Sequence, residues 1–355
     1  MAERIKGFFS KIAQFFKNLP SNITKGCKAF GQGMKNFPSN VKKEFTDDYG
    51  KFTLRKIKGW FYLAPALVLL AVFTFYPLVN TVFLSFWEDY KISSQVAGDM
   101  PLKIGFKNYI KVFENAQLGE GLRNTAVLAV ITVPLSTMIA LLIAVGLNSI
   151  KPLRKLLQTI FLLPYVTNSI AIGMVFAMIF NVVKAGGNIN DPGLFNRLLG
   201  VFGIDLVDWL AVGDAFWPKI FVMSVYIIWN ALPFKIMILL GALQSVNKQY
   251  YDAAKVDGSS RLTIFTKITV PLISPMLFYV IVTGFIGAFK EYSSMVGIFG
   301  EKLSVYHMNT MVGFIYDSLD GMWTGRAAAG AIVLFMIIMV VTAVQFAVSK
   351  KRVHY

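Results

Sequence analysis

The sequence predicts an all-α polytopic membrane protein with six transmembrane helices, and three observations carry that expectation. The 355 residues are 55% hydrophobic and only 15% charged, whereas soluble domains carry about one quarter charged residues. Six apolar stretches have the roughly 20 residues that a helix needs to cross about 30 Å of hydrocarbon. They lie at 60–86, 124–147, 157–181, 221–245, 272–293 and 327–349. The third observation is where the net charge of +16 sits. Residues 1–59 hold 13 Lys/Arg against 4 Asp/Glu. Lys151, Arg154 and Lys155, the 246–270 segment, and the Lys350, Lys351, Arg352 tail are also basic, while the three connections between them carry no positive excess. That alternation is the positive-inside pattern, and it places both termini and the 246–270 loop on the cytoplasmic side of a cell membrane. The basicity therefore reports topology, and no nucleic-acid surface is expected.

The chain divides into a basic N-terminal region, 1–59, and a transmembrane domain, 60–350. In the first, Ile5, Phe8, Phe9, Ile12, Phe15, Phe16 and Leu19 recur at steps of three and four, with Arg4, Lys6, Lys11 and Lys17 off that stripe. A second unit follows through Ile23, Cys27, Phe30, Met34 and Phe37, and "KNLPSN" and "KNFPSN" punctuate the two. This is either a basic amphipathic helix lying on an anionic lipid surface or a solvated tail that fixes orientation. No continuous apolar run or small-residue cleavage site follows the charges before Trp60, so the segment is not expected to be a cleaved signal peptide.

The first and second spans are joined by a polar outer connection of about 35 residues, and the third and fourth by "KAGGNINDPGLFNRLLG"; neither is long enough for a large external domain. In the fourth span, Pro233 offers no N–H to the Trp229 carbonyl, so a bend is expected beside Trp229 and Asn230. An interrupted helix at membrane depth exposes polar backbone to a solute. Trp229 and Asn230 suit a sugar, with its apolar ring face and hydroxyls, or else Trp229 simply packs on a neighbouring helix. The fifth span carries Thr283, Gly284 and Gly287, then Lys290, Glu291, Tyr292 and Ser293 at its outer end. Charges there face a cavity or a partner, or reach the interface; the glycines suit close helix packing.

Several chemistries are excluded. One cysteine, Cys27, forms no internal disulfide, and His307 and His354 have no metal-ligand spacing. No GxxxxGK[ST] motif occurs, so nucleotide hydrolysis by a P-loop belongs to another protein. No cofactor, metal site or catalytic cluster is expected, and the chain is not read as an enzyme.

The loop at 246–270 is the most specified connection. Ser245 is placed to cap a short helix through Lys248, Tyr250, Tyr251, Ala253 and Ala254, and Asp257-Gly258 ends it, glycine supplying the left-handed residue. Ser259 or Ser260 caps a second helix bearing Leu262, Phe265 and Ile268, and Pro271 fits the first turn of the fifth span. The result is a rigid knob rather than a slack linker.

In "YDAAKVDGSSRLTIFTKITVPLISP", Asp252, Ala253, Ala254, Asp257, Gly258, Phe265, Ile268 and Pro271 fall at the spacings of the EAA loop. The stretch resembles that loop in permease subunits of bacterial ABC importers of the carbohydrate-uptake, maltose and multiple-sugar type. Asp252 for glutamate, Ser259, Val270 and Asn247 depart from the pattern. "FLLPYVTNSIAIGMVFAMIFN", "WNALPFKIMILLGALQSV" and "GRAAAGAIVLF" extend the likeness over about 124–349. The resemblance implies the type I ABC importer permease fold. It also implies a coupling helix, here Tyr251, Asp252, Ala253, Ala254, Asp257 and Gly258, that docks in a cleft of an ATPase. Two ATPase subunits, a second related permease, an external solute-binding protein and a carbohydrate substrate follow as partners. Glycerol phosphate and polyamines are rival solutes; an ion-coupled secondary transporter and an intramembrane transferase are the rivals of another class.

Overall fold

A long apolar helix begins near the start of the described chain: the computed structural model covers residues 54–91, 103–150, 154–181, 183–185, 188–213 and 215–349. The basic stripe from Ile5 to Phe37, Cys27, and the tail with His354 lie outside them. One compact unit ends at Pro77 and another begins at Leu78. The first contains α1 (Leu54–Leu70) and a π-helical turn, Ala71–Phe75, and α2 (Tyr76–Phe86) follows.

The second unit is built on two long helices, α4 (Ala116–Ser149) and α8 (Phe216–Ser245). Before α4 comes α3 (Lys107–Glu114); Asn115 then caps α4 by accepting from Gln117 N–H at 2.9 Å. Between the long helices lie α5 (Arg154–Val166), α6 (Ser169–Phe180), a two-stranded antiparallel ribbon of β1 (Val183–Ala185) and β2 (Asn188–Asp191), and α7 (Gly193–Gly200). After α8 come α9 (Lys248–Val256), α10 (Arg261–Ile264), a π turn at Phe265–Thr269, α11 (Val270–Leu272) and α12 (Ser274–Phe289). The chain continues through α13 (Ser293–Phe299), a 3-10 turn at Leu303–Tyr306, α14 (Met311–Asp320) and α15 (Thr324–Ser349).

The all-α expectation holds apart from that small ribbon, and the spans differ in detail from six plain helices. Among the described residues, four helices are long and apolar enough to cross a membrane, or up to six if each of two bent pairs forms one span. The expected third span breaks by 101° between α5 and α6. Pro164 lies in the last turn of α5, and Asn168 starts a new helix by accepting from Ile170 and Ala171 N–H at 2.9 and 3.2 Å. The fifth bends by 68° between Arg261–Leu272 and Ser274–Phe289. Pro271 therefore sits in the first turn of α11, not of the long helix, because Pro275 has no N–H for the carbonyl four residues back. α8 runs unbroken through Pro233.

Three apolar clusters hold this unit together, and α4 contributes to all of them. Leu128 joins Met223 and Tyr226 of α8 with Met295 of α13. Ala129 and Val133 meet Phe289, Phe314 and Leu334; Ala140 and Ala144 meet Ile236, Leu240 and Val280. Within a bilayer such clusters hold by close van der Waals packing, since lipid tails are as apolar as the side chains themselves. α6 and α13 cross in backbone contact: a Cβ on Gly173 would stand 2.8 Å from Gly297 Cα, and one on Gly297 only 2.6 Å from the Ile170 carbonyl oxygen.

The described parts of the connections after α2 and after α6 carry specific side-chain bonds. Asn196 of α7 is buried, donates to the Pro192 and Val207 carbonyls at 2.9 Å each, and accepts from Trp209 Nε1 at 3.0 Å. Asp89 accepts from Lys107 Nζ at 2.6 Å and from Lys111 Nζ, tying the start of the first connection to α3. The hydrogen bonds from Lys107 and then Lys111 hold the Asp89 carboxyl below its ordinary range.

Candidate functional site

Two places carry the residues that the sequence singles out. The first is the knob between α8 and α12. Ser245 does not cap α9: its hydroxyl donates back to the Ala242 carbonyl at 2.8 Å, which keeps it in the last turn of α8. Asn247 is the cap instead, its Oδ1 accepting from Gln249 N–H at 3.0 Å. Asn is among the strongest cap formers, so the position that departs from the EAA pattern does identifiable work. α9 ends in a Schellman turn, with Gly258 N–H on the Lys255 carbonyl at 3.1 Å and Ser259 N–H on the Ala254 carbonyl at 3.0 Å. Gly258 has φ +69°, the left-handed region this turn requires. Of the two serines, Ser260 caps α10, accepting from Thr263 N–H at 3.2 Å.

This geometry leaves one face of α9 outward. Asp252, Ala253, Asp257 and Gly258 are exposed, as are Tyr250 and Val256, the latter at 89%. Ala254 is buried and Tyr251 half-buried, with its hydroxyl 3.4 Å from Thr269 Oγ1 across the knob. Asp252 and Lys255 approach to 3.5 Å while both stay exposed, so the pair stabilises α9 by only a few tenths of a kcal/mol. A helix capped at both ends and fastened on one side has the shape of a docking element.

The second place is a cavity of about 380 Å³ among α4, α5, α8 and α12. Ser136, Tyr165, Asn230, Lys235, Thr283 and Glu291 are among its lining residues. Asn230 and Glu291 are thus brought together, and Trp229, Tyr292 and Ser293 are not in the lining. Trp229 is half-buried with its ring 5.6 Å from that of Phe176. Tyr292 stacks on Tyr316 at 4.5 Å and 6°, and Ser293 is exposed at the start of α13. Glu291 accepts from Ser294 Oγ at 2.5 Å, and Lys290 is exposed. Gly284 allows a close approach, since a Cβ there would stand 3.0 Å from Val133 and 3.2 Å from Lys235 Nζ.

Lys235 is the residue that sequence reasoning missed. It is 3% exposed, and its ammonium donates to the Val133 carbonyl at 3.2 Å, Ser136 Oγ at 2.7 Å and Thr137 Oγ1 at 2.9 Å. The signal was available: a lone lysine inside an apolar stretch of spanning length is costly facing lipid and so faces a cavity or partner. His307 is exposed, with its ring Nδ1 3.4 Å from Glu120, and its carbonyl accepts from Asn124 at 3.0 Å.

Comparison with known proteins agrees with this architecture. Residues 133–354 match the family described as binding-protein-dependent transport system inner membrane component. The chain is 29% identical over 297 residues to the arabinooligosaccharides transport system permease protein AraP of Halalkalibacterium halodurans, covering 83% of this chain and 88% of that one. It is 28% identical over 309 residues to the lactose transport system permease protein LacF of Rhizobium radiobacter, covering 83% and 95%. A crystal structure of a bacterial alginate ABC transporter in complex with an alginate pentasaccharide-bound periplasmic protein shares the fold, at TM-score 0.68 and 21% identity over 85% of this chain and 98% of that one. The family match spans more than half of the chain and includes the knob, the second half of α4, and all of α8 and α12. This multi-pass membrane protein therefore belongs to the binding-protein-dependent transport system inner membrane components.

Proposed function

We propose that the chain is a transmembrane permease subunit of an ATP-driven importer, translocating a sugar or oligosaccharide delivered by an external binding protein. The observation that carries this reading is α9: an exposed helix, capped by Asn247 and closed by a Schellman turn at Gly258, within a chain of this family. Residues 246–270 act as the coupling loop of a 60–350 permease domain, and Tyr251 to Gly258 dock on one of two ATPase subunits. A stiff knob passes rigid-body movement to α8 and α12, where a slack loop would absorb it. Hydrolysis resides on the ATPases, and a second, related permease chain completes the pathway. Both termini are cytoplasmic.

The named relatives handle arabinooligosaccharides and lactose, which supports a carbohydrate. So does a cavity that sets Asn230, Thr283 and Glu291 around space for hydroxyls. Trp229, Tyr292 and Ser293 border that pathway. The test is uptake of labelled oligosaccharides into vesicles holding the reconstituted complex and binding protein. Uptake that needs ATP and the binding protein supports the reading; uptake driven by an ion gradient without ATP indicates a secondary transporter. Uptake of glycerol phosphate or polyamine alone would move the substrate class.

A further inference from the structure

Lys235 makes the cavity chemically unusual. Its three hydrogen-bond partners, a carbonyl and two hydroxyls, are uncharged, and among the described residues it enters no ion pair. Ser136 and Thr137 donate their own protons to the Thr132 and Val133 carbonyls, at 2.5 and 2.7 Å, so both hydroxyls turn lone pairs to the ammonium. They orient the charge without neutralising it. The longest of the three bonds, 3.2 Å, goes to the Val133 carbonyl, which Thr137 already satisfies. That bond can be exchanged for one to an incoming oxygen without stranding a buried group. Glu291 lines the same cavity; its carboxylate, with Asn230 and Thr283, accepts or exchanges hydrogen bonds with hydroxyls. The lining therefore offers one cation that enters no ion pair among the described residues, with Glu291 as the one carboxylate in the lining and several hydroxyl partners.

We propose that the cavity takes an acidic saccharide, a sugar whose carboxylate accepts a hydrogen bond from Lys235 while its hydroxyls meet Asn230, Thr283 and Glu291. This deepens the importer reading and rests on it. A buried ammonium gains most from an anionic partner because the low local dielectric strengthens the pair. A neutral sugar leaves the charge as it stands.

The test uses the full transporter complex in nanodiscs without its binding protein, titrated with digalacturonate, digalacturonate dimethyl ester, maltose and glycerol 3-phosphate by saturation-transfer NMR. Digalacturonate is expected to bind about tenfold more tightly than maltose or the ester, the effect of one charge-assisted hydrogen bond. Lys235→Gln should erase that advantage and Lys235→Arg should keep it. Equal binding of the acid and its ester by the unaltered complex overturns the proposal, a readout that survives if Lys235→Gln fails to assemble. An advantage that persists in an assembled Lys235→Gln complex overturns it too, and so does tighter binding of glycerol 3-phosphate. Maltose binding as well as the acid, with ATP-dependent maltose uptake intact, defeats the charge inference alone. Absence of any saccharide binding, together with absence of saccharide uptake, defeats the importer reading with it.

Discussion

Gly258 is the residue on which the direction of α9 turns. At φ +69° a side chain costs about 1–2 kcal/mol, yet a Cβ there would meet nothing within 4 Å, so the penalty is one of backbone conformation alone. Gly258→Ala is expected to weaken coupling modestly. Gly258→Val, β-branched, should re-aim the helix and lower substrate-stimulated hydrolysis while the protein still reaches the membrane. The pair of variants, assayed for ATPase activity in vesicles, checks the order. Trp229 poses a different question, because its ring rests on Phe176. If it also borders the pathway, Trp229→Ala should lower uptake several-fold at limiting substrate, and Trp229→Phe should retain most of it. Unchanged uptake across the substrate range would leave Trp229 a packing residue.

At the scale of elements, the crossing of α6 and α13 depends on two glycines. Gly297→Val would drive a Cβ to within 2.6 Å of a backbone oxygen that cannot yield, and about 3 kcal/mol of destabilisation is expected. Gly146→Val, where nothing lies within 4 Å, serves as the control, and the yield of folded protein by size exclusion is the readout. Asp89 makes a pH-dependent staple. Its carboxyl is held below its ordinary value by Lys107 and Lys111. The stabilisation is therefore complete above the unfolded value near 3.9 and is lost as pH falls through the depressed folded value. Asp89→Asn should lower the Tm of the complex at pH 6 and flatten its decline at acid pH. These elements show what was legible in the chain. Apolar length located the long helices, and the Asp257-Gly258 pair located the end of α9. The two bends were not foreseen, because hydropathy does not register that Asn168 starts a new helix or that Pro275 has no N–H to offer the Pro271 carbonyl. The cap was assigned to Ser245 instead of Asn247, since a serine that bonds back within its own helix has the same sequence signature as one that begins the next. Lys235 escaped notice because one charge scarcely changes the hydropathy of a 30-residue helix.

At the scale of the whole molecule, the permease domain is expected to carry transport without its basic extension. Deletion of residues 1–40 should leave uptake near normal per assembled complex and reduce membrane attachment or assembly; complete loss of uptake at normal membrane abundance would contradict an accessory role. The central claim is that the exposed face of α9 joins this chain to an ATPase. The most direct measurement is co-purification of the ATPase with the unaltered chain, with Asp252→Lys and with Gly258→Val, from membranes holding equal amounts of each. Asp252→Lys reverses the charge presented to the partner and disturbs only a weak, exposed pair with Lys255. The expected result is full recovery of the ATPase with the unaltered chain and marked loss with both variants, with ATP-dependent transport in vesicles falling in parallel. Normal recovery and normal transport with both variants would contradict the account.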